Sequence, residues 1–490
     1  MSAVHPLIDE AFERLRARPG FLDRPDQRQL ALLLSDLIDG ARSGAFEAPT
    51  GLGKSLSALI PAIAHALVNG KRTIIATYTN VLAEQYWRKD LPLALSLFDA
   101  EPRCRFLIGR QRYACVMAMD EHAPEFTDTF VASAELGIET EFRGLFRRPA
   151  RELGKAWQQI AAPPVCPGRF CPAYNACFYY NARRGAESAD LVITNHSVVI
   201  QDAIAKRAEE DGEGLLGRYD FLLLDEAHDF PTAAFNGLEF ELSAPKMGAM
   251  QAVATRLERT VLPIAQSFGE QSAWLERCQE FREEIDECKK SLLAYSIGLG
   301  KPGILAAAPD DVWSHPQVQS HRTLDDTTEP REIAFRVSET CDGFVASLED
   351  RLARWKEDDP DRVKGLAEGT RNYGFYLREY AFGCARLFDP SGVAVSYAGQ
   401  SMGQDALLRQ DVIDLSDPLT DLIWSKTPYA CLSATLTTDG NFDYFRRVTG
   451  ARPEFEEILP SPFDFGSCAA LYVPPQDRIP DPTLARREGT

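Results

Sequence analysis

Three short segments carry residues whose types and order suit phosphate and metal chemistry. In "FEAPTGLGKSLSAL" a turn holding Thr50, Gly51 and Gly53 leads into Lys54 and Ser55. The backbone N–H groups of such a turn, with its lysine, cradle the β- and γ-phosphates of a nucleotide, and the serine hydroxyl reaches a magnesium ion. In "YDFLLLDEAHDF" an apolar strand ends in Asp225 and Glu226. Metal-assisted nucleotide hydrolysis needs that pairing, one carboxylate for the magnesium and one to orient or deprotonate water. Ala48 stands where the strict phosphate-loop pattern has its first glycine. The strand before Thr50 and the apolar run 56–67 after Lys54 nevertheless supply the strand, turn and helix that the motif demands. Adjacent acids also suit a solvated helix N-terminus. The buried run ahead of Asp225 instead places them at the carboxyl end of a strand, where α/β sheets gather their working groups. A third segment, "YACLSATLTT", follows downstream.

Between the first two segments lies "CPGRFCPAYNAC". Its Cys166, Cys171 and Cys177 are spaced by five and six positions in a loop with proline and glycine, and Cys115 stands upstream in "GRQRYAC". Four thiolates from one tight loop and one distant arm can hold a four-iron, four-sulfur cluster or a tetrahedral zinc. Zinc sites more often show two pairs with two-residue gaps, which this loop lacks. Cys104 competes for the upstream position, but "RCRF" leads into a strand that buries its thiol. The other six cysteines (Cys278, Cys288, Cys341, Cys384, Cys431, Cys468) are dispersed and read as structural.

The elements that must position these residues follow from pattern and length. The 490 residues allow roughly three domains of about 150 residues. With 45% apolar and 26% charged residues the chain is an ordinary globular one and not a disordered one. A net charge of −19 argues against a uniformly basic DNA-coating protein. Between Arg103 and Arg184 the sign reverses locally, with twelve Arg or Lys against eight Asp or Glu, densest at Arg143, Arg147, Arg148, Arg151 and Lys155. That stretch suits a solvated basic face and a phosphate-binding patch equally. Nothing reaches the roughly 18 apolar residues of a membrane span, and the first twenty residues do not resemble a signal peptide. A cytoplasmic protein without membrane contact is expected, its cysteines reduced. An amphipathic helix from about Asp26 to Ala41, then strands "RTIIAT", "ADLVIT" and "FLLLDEAH" alternating with helices, predict an α/β fold with a doubly wound, mostly parallel sheet. Helical periodicity dominates from Leu242 to about Tyr397, broken by "KPGILAAAPDD".

The order of these parts resembles the XPD/DinG-like family of superfamily 2 DNA helicases. The resemblance runs through "RPDQRQLA", "APTGLGKS", "IATYTNVLAEQ", the four cysteines, "VITNHSVV", "LLLDEAHDF", "LSATL" and "SPFDFGS". It implies a RecA-like motor domain with an iron–sulfur insertion and a helical Arch-like insertion. The implied ligands of a [4Fe-4S] cluster are Cys115, Cys166, Cys171 and Cys177. Arg24 and Gln27 match the segment that reads adenine, and Thr50, Gly51, Gly53, Lys54 and Ser55 hold ATP. Ser55 and Asp225 hold Mg2+, and Glu226 serves hydrolysis. His228 couples the nucleotide site to DNA, while Ser433 and Thr435 relay between hydrolysis and strand movement. Thr77, Thr79 and Asn80 fall in a DNA-contacting segment, although helix capping explains Thr79 and Asn80 as well. The implied activity is an ATP-dependent 5′ to 3′ helicase on single-stranded and forked DNA. The alternative is a nucleotide-gated single-strand clamp or repair adaptor without motor activity.

The expected domains are a motor domain in three parts, 1–102, 182–241 and 398–455, with the cluster insertion at 103–181 and the Arch-like insertion at 242–397. The segment 456–490, with a strand-like "ALYVP", reads as the start of a second motor domain. The fifty-five residues from Leu436 onward are too few for the roughly 100 to 150 of such a domain. The chain therefore reads either as a truncated or split helicase, with a separate polypeptide as one source of the missing half, or as a binding module, and hydrolysis by this chain alone is expected to be poor.

Overall fold

A computed structural model describes residues 4–208, 213–299, 318–323, 328–388, 394–401, 406–463 and 472. Eleven strands are present among them: β1 (Gly44–Glu47), β2 (Thr73–Thr77), β3 (Cys104–Phe106), β4 (Leu191–Asn195), β5 (Phe221–Asp225), β6 (Phe240–Ser243), β7 (Val318–Thr323), β8 (Ala394–Ser401), β9 (Ala406–Val412), β10 (Tyr429–Ser433) and β11 (Phe455–Ile458). Seven form one parallel sheet in the order β11-β1-β10-β5-β2-β4-β3. The central strands β2, β4, β5 and β10 are buried at every position. Continuous apolar strands of this kind mark a sheet covered on both faces, and parallel strands require the crossovers that cover it. The α/β expectation is met.

Local chemistry explains the helices flanking the phosphate loop. The helix Pro25–Gly40 starts with proline at its first position, where the missing N–H costs nothing. The helix Lys54–Asn69 starts from Gly53 and ends at Gly70, both left-handed, the conformation glycine adopts without strain. The two helices pack together over one face of the sheet, where His65, fully buried, lies 2.9 Å from the Ser35 hydroxyl.

Two further bodies carry their own cores. In the cysteine region Phe126, Phe130, Phe142 and Trp157 pack edge to face or tilted, the arrangement aromatic quadrupoles favour. The helices Ala244–Ser267, Gln271–Leu299, Thr328–Asp358 and Pro360–Arg386 bury Trp274, Phe281, Phe344 and Trp355 between them.

Three expected boundaries move. Cys104–Phe106 pairs with β4 and belongs to the main sheet, so the cysteine insertion starts after Phe106 and not at residue 103. Phe455–Ile458 is parallel to β1 at the opposite edge of the same sheet, so residues 456–458 do not open a second domain. The stretch from Leu242 is not purely helical: β6, β9, β8 and β7 form an antiparallel sheet beside the helices, and β8 and β9 carry that body past residue 397 to Val412. Helical periodicity is the stronger signal there because β6 and β7 lie far in sequence from the strands they pair with, so that part of the pairing is nonlocal. "KPGILAAAPDD", all of "ALYVP" but Tyr472, Cys468 and the end of "SPFDFGS" lie outside the described residues.

The second sheet is pinned by a buried charge. Arg409 on β9, 1% exposed, is ion-paired with Glu239, with Asp411 Oδ1 at 2.7 Å and with Glu241 at 3.6 Å. The Tyr397 hydroxyl donates to the other Asp411 oxygen at 2.8 Å. Burial pushes the Glu239 carboxyl up to about 7, against the pull of Arg409. Removing one partner of such a network leaves the others buried and unpaired, at about 3–5 kcal/mol. Arg409→Met is accordingly expected to lower the unfolding free energy by that much, measured by urea titration; an unchanged free energy contradicts this role.

Candidate functional site

The carboxyl edge of the main sheet collects the chemistry-bearing segments because parallel strands all end there. The turn after β1 places Gly51 at φ +84° and Gly53 at φ +96°. A Cβ at Gly53 would run into the Gln27 side chain, whose amide donates to the Gly53 carbonyl at 3.1 Å. Gln27 is thus held against the phosphate turn, and Arg24 lies one turn earlier, half-exposed, before Pro25. Thr50 is exposed and Ser55 half-buried in the first turn of the helix Lys54–Asn69. The Phe463 ring lies over Gly51, where a Cβ would come within 2.6 Å of its edge.

Lys54 Nζ sits 3.4 Å from Glu226 Oε1 and 3.4 Å from the Ala48 carbonyl. The lysine and the acidic strand tip share one pocket. Glu226 adopts φ +53°, a left-handed conformation uncommon outside glycine and typical of strained functional positions. Asp225 is buried, its Oδ2 accepting from the Tyr86 hydroxyl at 2.7 Å and its Oδ1 lacking a protein partner. Burial pushes this carboxyl up to about 6; Glu226 adds to the rise, and Tyr86 and Lys54 oppose it. Desolvation and the Asp225 charge hold the Tyr86 phenol well above its ordinary value.

The third segment reaches the same edge. His228 Nδ1 lies 2.8 Å from Ser433 Oγ and 3.4 Å from Glu226 Oε2. The Thr435 N–H donates to Ser433 Oγ at 3.1 Å, so β5 and β10 are joined through hydroxyl and imidazole directly beside Glu226. Thr437 donates through its N–H and hydroxyl to Glu47 Oε2 at 2.6 and 2.8 Å, tying the same loop to β1. Thr77 ends β2 buried, its hydroxyl without a protein partner. Thr79 caps the helix Asn80–Gln85 by accepting from the Leu82 N–H at 3.2 Å, and Asn80 accepts from the Asn195 amide at 2.5 Å. The capping chemistry thus operates at Thr79.

Sequence reasoning missed Tyr86 and His196. Tyr86 reads as one more core aromatic of a helix, and nothing in the pattern separates it from Trp87. His196, fully buried, sets its Nε2 2.9 Å from the Asp225 carbonyl, and burial pulls its pKa down to about 3. Its place just past the end of β4 was the only available signal.

The four cysteines of the loop and the arm are free and partly buried. Cys115 donates its N–H to the Ile160 carbonyl at 2.7 Å, and Cys166 Sγ lies 3.9 Å from the Tyr180 hydroxyl. Burial pushes the Cys115, Cys171 and Cys177 thiols up, with further upward contributions from other thiols of the four, while backbone N–H groups of residues such as Ala118, Ala173 and Tyr180 oppose the rise. Among the described residues no group of three or more His, Cys, Asp or Glu side chains is placed to hold a metal ion, and no helix is long and apolar enough to cross a membrane.

A cleft of about 610 Å³ opens between this edge, the cysteine region and the helix Pro360–Arg386. Asn80, Asn195, Arg110, Tyr179, Arg183 and Phe375 are among its walls.

No family model matches the chain. It is similar to the ATP-dependent DNA helicase DinG of Escherichia coli, 30% identical over 507 residues that cover 93% of this chain and 67% of that protein. It is similar to the ATP-dependent DNA helicase YoaA of the same organism, 25% identical over 477 residues, covering 94% of this chain and 67% of that one. A Bacillus subtilis relative named 3'-5' exonuclease DinG is 24% identical over 490 residues, covering 93% of this chain and 50% of its own length. Among solved structures, XPD_Helicase aligns with 16% identity and a TM-score of 0.43, covering 89% of this chain and 62% of that one. The chain spans about two thirds of the length of the two E. coli relatives and half that of the Bacillus protein.

The Asp225 environment has a testable consequence. Its folded pKa lies above the unfolded value, so the fold takes up this proton first; the resulting stability is present at low pH and is lost as pH rises from about 4 to about 6. Asp225→Asn removes the buried charge. In magnesium-free protein it is expected to raise stability more at pH 8 than at pH 5, by a difference on the order of 1–3 kcal/mol that is read as a larger rise in melting temperature at pH 8. Scanning fluorimetry at the two pH values checks this, and equal shifts contradict it.

Proposed function

Because this chain belongs to the XPD/DinG-like family of ATP-dependent DNA helicases, we propose that it is an Mg-ATP-driven 5′ to 3′ helicase or translocase on single-stranded and forked DNA, acting in the cytoplasm. The observation that carries this reading is the pocket shared by Lys54, Glu226 and Asp225. Gln27 and Arg24 read the base; the turn from Thr50 to Ser55 wraps the phosphates. Lys54 exchanges Glu226 for the γ-phosphate, a charge-assisted bond to a group of higher charge. Released from the lysine, Glu226 orients or deprotonates the attacking water, and its left-handed backbone keeps the carboxylate at the strand tip. Ser55 and Asp225 would hold the magnesium, which supplies charge neutralisation at the phosphates when bound.

The residues that read this chemistry adjoin the ones that act on the strand. His228 touches both Glu226 and Ser433, and Thr435 hangs from Ser433, so a change at the γ-phosphate has a hydrogen-bonded route into the loop after β10. On the other side Thr77, Thr79 and Asn80 lead from β2 into the cleft, where single-stranded DNA would lie against Arg110, Arg183 and the exposed Phe375. Positive groups beside aromatic faces suit a single strand, whose phosphates and bases they meet together.

Cys115, Cys166, Cys171 and Cys177 are proposed as ligands of a [4Fe-4S] cluster in an insertion of the main sheet, and the helical body as the Arch-like insertion. The donor set supports this: four reduced thiols from one loop and one arm, with several backbone N–H groups directed at sulfur and Arg110 close to Cys166. When bound, the cluster supplies a crosslink between loop and arm. In this reading the residues of a second motor domain complete hydrolysis.

DNA-stimulated ATP turnover, measured with and without a second motor domain added in trans, tests the proposal. Turnover that rises by orders of magnitude on addition supports the motor; single-strand binding with no turnover in either case supports the clamp instead. Lys54→Ala is expected to weaken nucleotide binding at least about tenfold, the loss of a charged hydrogen bond of about 1.5–3 kcal/mol. Glu226→Gln should retain binding while turnover falls about 10²–10⁴-fold. Cys171→Ser should lose iron and the visible absorbance of the cluster while nucleotide affinity stays at the wild-type level; zinc in place of iron by elemental analysis contradicts the cluster assignment.

A further inference from the structure

Of the buried polar groups that the proposed chemistry leaves unused, the Tyr86 hydroxyl stands closest to the metal site. The side chain is 3% exposed, within the main core. Its hydroxyl donates to Asp225 Oδ2 at 2.7 Å, and the Ser55 side chain lies near it. It therefore stands between the two residues assigned to magnesium. Asp225 Oδ1 is buried and has no protein partner.

A carboxylate on a strand tip turns freely about its last torsion and presents either oxygen. A bond to one oxygen ends that freedom and leaves the other directed at a fixed point. The backbone around Tyr86 is arranged for this. The helix Asn80–Gln85 gives way at Tyr86 to a π turn, Tyr86–Asp90, closed by the Leu91 N–H on the Tyr86 carbonyl. One extra residue per turn shifts side chains off the regular helical register, and such turns recur at functional sites. The next residue, Trp87, packs on Phe106 and anchors the turn to the sheet edge.

Resting on the nucleotide-site reading above, we propose that Tyr86 is a positioning residue for the magnesium ion: it holds Asp225 by Oδ2 so that Oδ1 receives the ion or its water. It contacts neither phosphate nor the reacting water in this role. Groups that orient metal ligands in this way typically govern about 10–100-fold in metal affinity.

Manganese titration of the full chain in the presence of ADP, read by electron paramagnetic resonance, measures the effect on the metal itself and not on turnover. Tyr86→Phe keeps the ring and removes only the hydroxyl. Its manganese affinity is expected to fall about 10-fold or more, with ADP affinity in chelator unchanged. Wild-type manganese affinity, or tighter binding, overturns the proposal, the latter because the hydroxyl would then compete with the metal. If Tyr86→Phe does not fold, Tyr86→Met repeats the test with a flexible apolar filler. Loss of the fold in both overturns it in favour of a packing role. A wild-type chain that binds no manganese with ADP defeats the nucleotide-site reading and this inference with it, an outcome distinct from equal binding by wild type and variant.

Discussion

A carboxylate, Asp225, is held out of water at the end of a fully buried strand, and most of the site is arranged around that cost. Desolvation disfavours its charged form. Tyr86 hydrogen-bonds one of its oxygens, His196 sits on its carbonyl, and Lys54 lies near enough to offset the charge. Under the proposed magnesium role the same low dielectric that penalises a lone carboxylate would strengthen its attraction to a divalent cation. Stability is given up where ligand binding will restore it, the usual trade at a functional site.

The parallel sheet makes the arrangement possible. β1, β10 and β5 are neighbours, so the phosphate turn, the loop with Ser433 and Thr435, and the acidic pair emerge side by side although hundreds of residues separate them in the chain. Bonds between these loops then lock their spacing: Thr437 to Glu47, His228 to Ser433, Lys54 to Glu226. Each joins two different strand ends, so a displacement at one is felt at the next. The short helix after β2 and the π turn that follows it bring a fourth strand end into contact with the same carboxylate.

The two bodies inserted into this framework are stabilised differently. The cysteine region relies on a small aromatic core and on its links to the main sheet. The helical body has a large apolar core of its own and a sheet fastened by the buried Arg409 network. Helix Pro360–Arg386 faces the cysteine loop, with Asn372 donating to the Cys166 carbonyl at 3.1 Å and Glu368 paired with Arg169 at 2.6 Å. Asn372 also lines the cleft, and Val165, beside Cys166, packs into the core of the helical body.

Glycine spacing, the Lys54–Ser55 pair, the acidic strand tip and the cysteine loop were legible in the sequence because each is a local pattern whose chemistry is carried by neighbours in the chain. The alternation of apolar strands with amphipathic helices likewise determined the α/β class and the parallel sheet. Only the tertiary structure decided that Cys104–Phe106 and Phe455–Ile458 are the two edges of one sheet, and that Phe240–Ser243 pairs with Ala406–Val412. Strand pairing depends on contacts between distant segments, and three or four residues hold too little pattern to announce a partner. The same limit hid Tyr86, for its side chain is ordinary in its own helix and becomes part of the site only because folding sets its hydroxyl against Asp225, 139 positions away.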